Sequence, residues 1–182
     1  MKPEWQLSGV VRDRQSIASD WTPTQLSLLN GVALREARNV VKANGRLTEL
    51  FRRDWFAGDE VVDQVFQVLL HPGGISAWHA HASTTDRLFV TAGSMKLVLY
   101  DGRSDSSTHR QINEFHLSIH RPTLVVVPPG VWHGVQNTGA EPTALLNMVD
   151  QAYQYENPDH WRLPQDTEEI PYQFSRATDA LA

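Results

Sequence analysis

Short apolar runs, separated by clusters of glycine, proline and polar residues, recur along most of this chain. One of the longest covers residues 61–70, is rich in β-branched and aromatic side chains, and ends at the turn sequence His71-Pro72-Gly73-Gly74. Runs of this length and composition between turn residues are typical of β-strands. The pattern therefore predicts a long strand followed by a turn.

Further short strands are predicted at close intervals along the chain. After the turn they are expected at residues 77–81, 87–91, 96–100, 115–120, 123–127, 131–136 and 144–149. Before it, residues 32–35 and 47–52 flank Asn44-Gly45, a pair typical of a hairpin turn. Many short strands with little helical periodicity favour a sandwich or a barrel. The fold class predicted is therefore all-β.

The strand rhythm also predicts how the chain is divided. A length of 182 residues fits one domain with a sizeable core. We expect an antiparallel barrel at residues 61–150, preceded at 1–60 by an N-terminal arm and strands that pack on the barrel or a partner. Residues 151–182 are punctuated by proline and aromatic residues and are expected to cover the barrel as a tail.

Composition narrows the classes of partner. The net charge is −5, without a basic run, which argues against nucleic acid and anionic membranes as partners. There is no cysteine, so disulfides and thiolate sites are excluded. The first residues lack the apolar core of a signal peptide, and no apolar segment approaches the ~20 residues of a membrane span. A cytoplasmic protein with a small-molecule substrate is the expectation.

Two stretches carry the candidate chemistry. His79 and His81 are two residues apart, and side chains at that spacing on a strand point to the same face. A turn and a returning strand can bring Asp86 beside them, and His133 follows a separate turn at Pro128-Pro129-Gly130. Three imidazoles and one carboxylate suit a borderline divalent ion such as Fe, Mn, Ni or Zn. His79, His81, Asp86 and His133 are therefore the predicted metal ligands.

The spacing of these residues resembles the two cupin motifs. The first reads Gly73-x5-His79-x-His81-x4-Asp86-x6-Gly93, and the second reads Pro128-x-Gly130-x2-His133-x3-Asn137. The chain departs from the usual motifs by having Asp86 in place of glutamate and Pro122 in place of glycine. The resemblance implies a single cupin barrel, the double-stranded β-helix or jelly roll.

A narrower group of cupins is also similar. Residues 31–51, the central barrel and the tail together resemble the dTDP-4-dehydrorhamnose 3,5-epimerases and their dTDP-hexose 3,4-ketoisomerase relatives. The run His79-Ala80-His81 and the pair Gly93-Ser94 are shared with the ketoisomerases. The resemblance implies that His79 is a catalytic base that removes a proton next to a sugar ketone. It also implies a homodimer in which residues before Phe66 reach the partner.

Three departures from the epimerases weaken that reading. Ser76 stands where they carry the arginine that holds the nucleotide diphosphate, and this predicts weak dTDP binding. Asp86 stands where they carry a lysine that steadies the enolate, and Leu146 or Asn147 stands where they carry a catalytic tyrosine. A carboxylate cannot stabilise an enolate oxygen directly, but it can bind a cation that does so. On this reading a metal ion replaces the lysine.

Three functions remain open on the sequence. The first is a metal-dependent cupin enzyme that moves a proton on a small oxygen-rich substrate, or an oxygenase if the ion is iron. The second is a metal-free nucleotide-sugar epimerase or isomerase, with His79 as base and Gln67 as a sugar contact. The third is a non-catalytic barrel that binds a sugar or a metal.

Overall fold

The computed structural model describes residues 5–21, 23–24, 26–56 and 61–174. The regular secondary structure in these residues consists of β-strands. Both ends of the expected arm and the end of the expected tail lie outside the described residues. No helix in the described part of the chain is long and apolar enough to cross a membrane.

The described residues form twelve strands. They are β1 (Ala33–Glu36), β2 (Asn39–Lys42), β3 (Gly45–Thr48), β4 (Gln64–Leu70), β5 (Ile75–Ala80), β6 (Asp86–Ala92), β7 (Ser94–Asp101), β8 (Ile112–Ser118), β9 (Thr123–Val127), β10 (Val131–Asn137), β11 (Thr143–Val149) and β12 (Trp161–Arg162). The strands predicted after the Gly73 turn all form, with ends shifted by a few residues. A hairpin turn forms at Ala43-Asn44, one residue earlier than predicted, but its first strand is β2, because the strand predicted at 32–35 forms β1 and pairs with β9.

Two five-stranded antiparallel sheets face each other. The first has the order β1-β9-β6-β11-β4 and the second the order β12-β5-β10-β7-β8. A single apolar core lies between them, built from alternate residues such as Leu88 and Val90 of β6 and Leu97 and Leu99 of β7. This period of two is what packing one face of each strand against the opposite sheet requires. The predicted all-β jelly roll is confirmed.

The tail covers the outer face of the second sheet. Trp78, which is fully buried, packs there with Ile170 and Phe174 of the tail. Burying a side chain such as Ile or Phe contributes roughly 1.5–3 kcal/mol, so these contacts can hold a segment that has almost no regular structure. The strand β12 adds the tail to the edge of this sheet beside β5. Its position places the tail at one end of the barrel.

Candidate functional site

A cavity of about 310 Å³ opens at that end of the barrel, between the two sheets. Its inner wall carries the polar side chains Ser76, His79, His81, Asp86, His133 and Asn147. Apolar side chains form much of the remaining wall, among them Phe66, Val68, Leu88, Val135, Leu145 and Val149. An apolar cavity with a few convergent polar groups is the usual form of a small-molecule site.

The strand register brings the polar groups together. β5 and β10 are antiparallel neighbours in which His79 lies directly opposite His133. Asp86 is the first residue of β6 in the facing sheet, where it pairs with Val149 and Val127. The two sheets therefore contribute imidazoles from one side and a carboxylate from the other.

His81, Asp86 and His133 form a compact cluster, here called the triad. The Nε2 atoms of His81 and His133 lie 3.4 Å and 3.5 Å from Oδ2 of Asp86. Asp86 is almost completely buried, with 1% of its side chain exposed. Of the predicted ligands, the triad is the set of donor atoms close enough together to hold one ion.

Hydrogen bonds fix the protons of the triad. Nδ1 of His81 bonds to the carbonyl of Asp159, and Nδ1 of His133 bonds to the carbonyl of Val131 at 3.3 Å. A carbonyl only accepts, so both Nδ1 atoms donate, and in the neutral form of each ring Nε2 carries the lone pair. Burial lowers the pKa of His133 more than the charge of Asp86 raises it, so this ring is neutral at pH 7.

The carboxylate of Asp86 is oriented as firmly as the rings. Asn147 donates from Nδ2 to Asp86 Oδ1 at 2.6 Å, and Asn147 Oδ1 accepts from the backbone N–H of Arg87. Oδ2 therefore faces the Nε2 atoms of both imidazoles, and these three atoms can bind one cation together. Donor atoms around a tetrahedral ion at about 2.0–2.1 Å are roughly 3.3–3.5 Å apart. The triad therefore fits a zinc-like cation.

His79 lies outside the triad, although it is predicted to be a fourth ligand. Its Nδ1 is 2.9 Å from Nε2 of His160, and its Nε2 is 3.0 Å from Oγ of Ser76. Burial is the largest cause that lowers the pKa of His79, to about 3, and the nearby charge of Arg162 acts in the same direction. His79 is therefore neutral at pH 7, which is the state of a proton acceptor.

Gln67, the predicted sugar contact, points away from the cavity. Gln64, Phe66 and Val68 line it, and the period of two places Gln67 on the opposite face of β4. Gln67 was predicted as a sugar contact before the strand pairing of β4, and so the face on which Gln67 lies, was known. The structure gives it no support.

The tail supplies three residues that the sequence interpretation missed, namely Asp159, His160 and Arg162. All three line the cavity. The carboxylate of Asp159 accepts hydrogen bonds from the backbone N–H groups of Ala82 and Ser83 at 2.7 Å and 2.8 Å. The tail is irregular in sequence, so no periodicity marked these residues. The one signal was the close succession of an acid, an imidazole and a guanidinium.

Removing the Asp159 carboxylate is expected to loosen the tail. Burial opposes its ionisation, but the hydrogen bonds from Ala82, Ser83 and Thr84 outweigh burial and lower its pKa below the ordinary 3.8. Its stabilising effect is therefore complete above that value and is lost as the pH falls through the folded-state pKa. Since a hydrogen bond to a charged group is worth about 1.5–3 kcal/mol, Asp159→Ala should speed amide exchange in residues 159–163 at least about tenfold.

Hydrogen-exchange mass spectrometry at neutral pH measures this effect. The matched control is Asp166→Ala, which removes an exposed carboxylate from the same tail. Equal exchange in the two variants would show that Asp159 does not anchor the tail.

The comparisons with known proteins agree with this geometry. The cupin domain model matches residues 66–149. A probable low-salt glycan biosynthesis epimerase, Agl13 of Haloferax volcanii, is 30% identical over 139 residues, covering 76% of this chain and 89% of the relative. The spore coat polysaccharide biosynthesis protein SpsL of Bacillus subtilis is 28% identical over 151 residues, covering 81% and 97%.

A solved structure agrees as well. The dTDP sugar isomerase of Desulfovibrio desulfuricans superposes with a TM-score of 0.75 at 28% identity, covering 81% of this chain and 94% of that one. The barrel and its histidine-lined cavity are those of a cupin, and this chain belongs to the cupin family. Within that family it resembles the dTDP-4-dehydrorhamnose 3,5-epimerases and related sugar isomerases, as the motifs predict.

Proposed function

We propose that this protein is an epimerase or isomerase that acts on a keto sugar. The observation that carries the proposal is His79, a neutral imidazole that lines the cavity and is held by hydrogen bonds at both ring nitrogens. The 30% identity to a probable glycan biosynthesis epimerase and the 28% identity to a dTDP sugar isomerase support this class of reaction.

The proposed first step is proton transfer to His79. When Nδ1 donates its proton to His160, Nε2 holds the lone pair and accepts from the Ser76 hydroxyl in the free protein. A substrate that displaces the Ser76 contact presents a C–H bond beside its ketone to Nε2. The proton moves to His79 and the electrons of the C–H bond move into the enolate.

The fate of the enolate decides the product. Return of a proton to the opposite face of the same carbon gives the epimer. Return of a proton to the former carbonyl carbon, with the ketone moved to its neighbour, gives the keto isomer. Both outcomes conserve atoms and electrons and need no redox partner. The main prediction from the sequence was a metal-assisted reaction. The relatives instead favour the alternative, a sugar epimerase or isomerase, in which His79 would take the proton.

Charge on the enolate oxygen still needs a stabilising partner. The chain lacks the family's lysine and tyrosine at Asp86 and at Leu146 or Asn147. A second candidate function, metal-assisted proton transfer, is favoured by the lone pairs that converge in the triad. A divalent ion held by His81, Asp86 and His133 supplies a Lewis acid for a ketone oxygen.

Deuterium exchange tests the proposed function. We expect the protein, incubated in D2O with a dTDP-4-keto-6-deoxy sugar, to incorporate deuterium at a carbon beside the ketone, as measured by NMR. The same assay with UDP- and GDP-linked keto sugars covers other carriers. Binding of these sugars without any exchange would contradict the proposal and indicate a non-catalytic sugar-binding barrel.

Chelation separates the two candidate functions. Under the first proposal, protein stripped of metal by a chelator and then dialysed keeps its exchange rate. A loss of exchange that zinc, manganese, iron or nickel restores would favour the metal-assisted reaction.

We also propose a homodimer that buries the β2–β3 hairpin and the edge strand β4. Val41 and Leu47 of the hairpin are 82% and 58% exposed, and Val65 and Leu69 of β4 are 54% and 60% exposed. Exposed apolar residues on an edge strand and on a hairpin are typical of surfaces that a partner covers. Light scattering at micromolar concentration should give about twice the chain mass of 20.5 kDa.

The double variant Val41→Asp with Leu47→Asp should be monomeric, because two charges are costly to bury in an interface. Ala140→Asp, in the exposed turn after β10, is the control and should remain dimeric. A monomeric wild type would contradict the proposal.

A further inference from the structure

The cavity is lined by the guanidinium of Arg162, which has no partner among the residues that the structure describes. Arg162 is directly opposite His79 in the β12–β5 pair, so the two side chains lie on the same face of the sheet. Its charge contributes to lowering the pKa of both His79 and His160, which places it near both rings. Among the described residues, Arg162 has no ion pair and no side-chain hydrogen bond.

The carboxylates of the cavity do not neutralise this charge. Asp159 is occupied by the backbone N–H groups of the loop at Ala82 to Thr84. Asp86 accepts from Asn147 and faces the two triad histidines. Arg162 is also the only lysine or arginine that lines the cavity in the part of the chain that the structure describes. The positive charge at the mouth is therefore free for a ligand.

We propose that Arg162 determines specificity by binding an anionic substituent of the substrate, a phosphate or a carboxylate, next to the reacting sugar ring. The inference rests on the proposed function and adds a substrate class to it. A guanidinium presents a planar fork of N–H donors that matches either anion with two parallel hydrogen bonds. Because Arg162 is exposed and His79 is half-buried, the anion lies towards solvent and the ring lies inside.

This assignment changes one expectation from the sequence. Residue 76 of β5 is a serine in place of the arginine that holds the diphosphate in the epimerases. Weak dTDP binding was predicted for that reason. The tail brings a different arginine to the neighbouring strand. The prediction of weak dTDP binding is therefore replaced by binding that depends on Arg162.

Calorimetric titration of metal-stripped protein tests the inference, because a bound cation would itself attract the anions. The probes are pyrophosphate and dTDP for phosphate, glucuronate for carboxylate, and methyl glucoside as the neutral sugar. The proteins are the wild type, Arg162→Gln, Arg162→Lys, and the control Arg110→Gln, which changes an exposed arginine in the loop between β7 and β8. Thermal unfolding of each variant first establishes that the fold is intact.

We expect Arg162→Gln to weaken binding of one class of anion about 10- to 100-fold, with Arg162→Lys in between, since the lysine keeps the charge and loses the fork. Arg110→Gln should match the wild type, and methyl glucoside should not distinguish the proteins. The probe class that responds identifies phosphate or carboxylate. Equal affinities for Arg162→Gln and Arg110→Gln, or no binding of any anion by the wild type, would overturn the inference.

The outcome is separable from that of the proposed function. If anion binding depends on Arg162 but the protein exchanges no deuterium into keto sugars, the anion site is supported and the proposed reaction is contradicted. Deuterium exchange by the wild type, together with anion affinities that are equal in Arg162→Gln and Arg110→Gln, keeps the reaction and rejects the anion site.

Discussion

Replacing His79 with glutamine should slow deuterium exchange beside the ketone by about 100- to 10,000-fold, the usual contribution of a positioned general base. Glutamine is close to histidine in length and can bond to both Ser76 and His160, so the cavity keeps its shape. It has no basic lone pair at neutral pH and cannot take the proton. The loss should therefore fall on the rate of exchange at saturating substrate and leave substrate affinity nearly unchanged.

NMR of the deuterated sugar measures the rate, and titration of the sugar measures the affinity. His116→Gln is the matched control, because it changes an imidazole on β8 that is 72% exposed. Deuterium exchange at the wild-type rate in the His79 variant would show that His79 is not the base in this reaction.

The barrel was predictable because its signal is local. The strand β9, for example, is a short run of mainly β-branched residues between turns, and such a run favours a strand by its own composition. The triad was largely predictable for the same reason. Its residues lie at or beside strand ends, where turn sequences fix their position in the chain.

Two roles were predicted for His79, a metal ligand from its spacing and a catalytic base from the resemblance. The period of two places His79 and His81 on one face, and both line the cavity. His81 lies beside Asp86, while His79 lies opposite His133 and bonds to His160. The strand pattern could not separate these two positions, because His160 comes from the irregular tail.

The tail residues were not predictable from pattern. β12 has two residues, and its pairing with β5 depends on Trp78, Ile170 and Phe174 packing more than 80 residues apart in sequence. Such a contact leaves no periodic trace. The prediction for Gln67 has no support for a related reason. The pairing of β4 with β11 decides which residues of β4 face the cavity, and a shift of one residue reverses the two faces.

Asp86→Asn should lower the affinity of the protein for zinc by at least about 10- to 100-fold, the loss typical even when a residue only supports a metal ligand. The substitution removes the one negative charge of the triad. The carbonyl of the new asparagine can still accept a hydrogen bond from Asn147. The amide N–H of the new asparagine then points at Nε2 of His81 and of His133. A hydrogen then occupies the place of the cation.

Competition with a zinc-binding indicator measures the affinity, and Asp105→Asn, an exposed carboxylate in the loop after β7, is the control. Because the new amide satisfies lone pairs that face a carboxylate in the metal-free wild type, we expect metal-stripped Asp86→Asn to unfold at the same temperature as the metal-stripped wild type or higher. Unchanged zinc affinity in the variant would show that the triad is not a metal site.

The same variant distinguishes a bound ion from an ion that takes part in the reaction. If Asp86→Asn loses zinc and keeps its deuterium exchange, proton transfer by His79 is sufficient and the ion is structural. If zinc and exchange are lost together, and zinc in excess restores exchange in the stripped wild type but not in the variant, the cation stabilises the enolate. In that case Asp86 performs, through the ion, the electrostatic task that a lysine performs in the related epimerases.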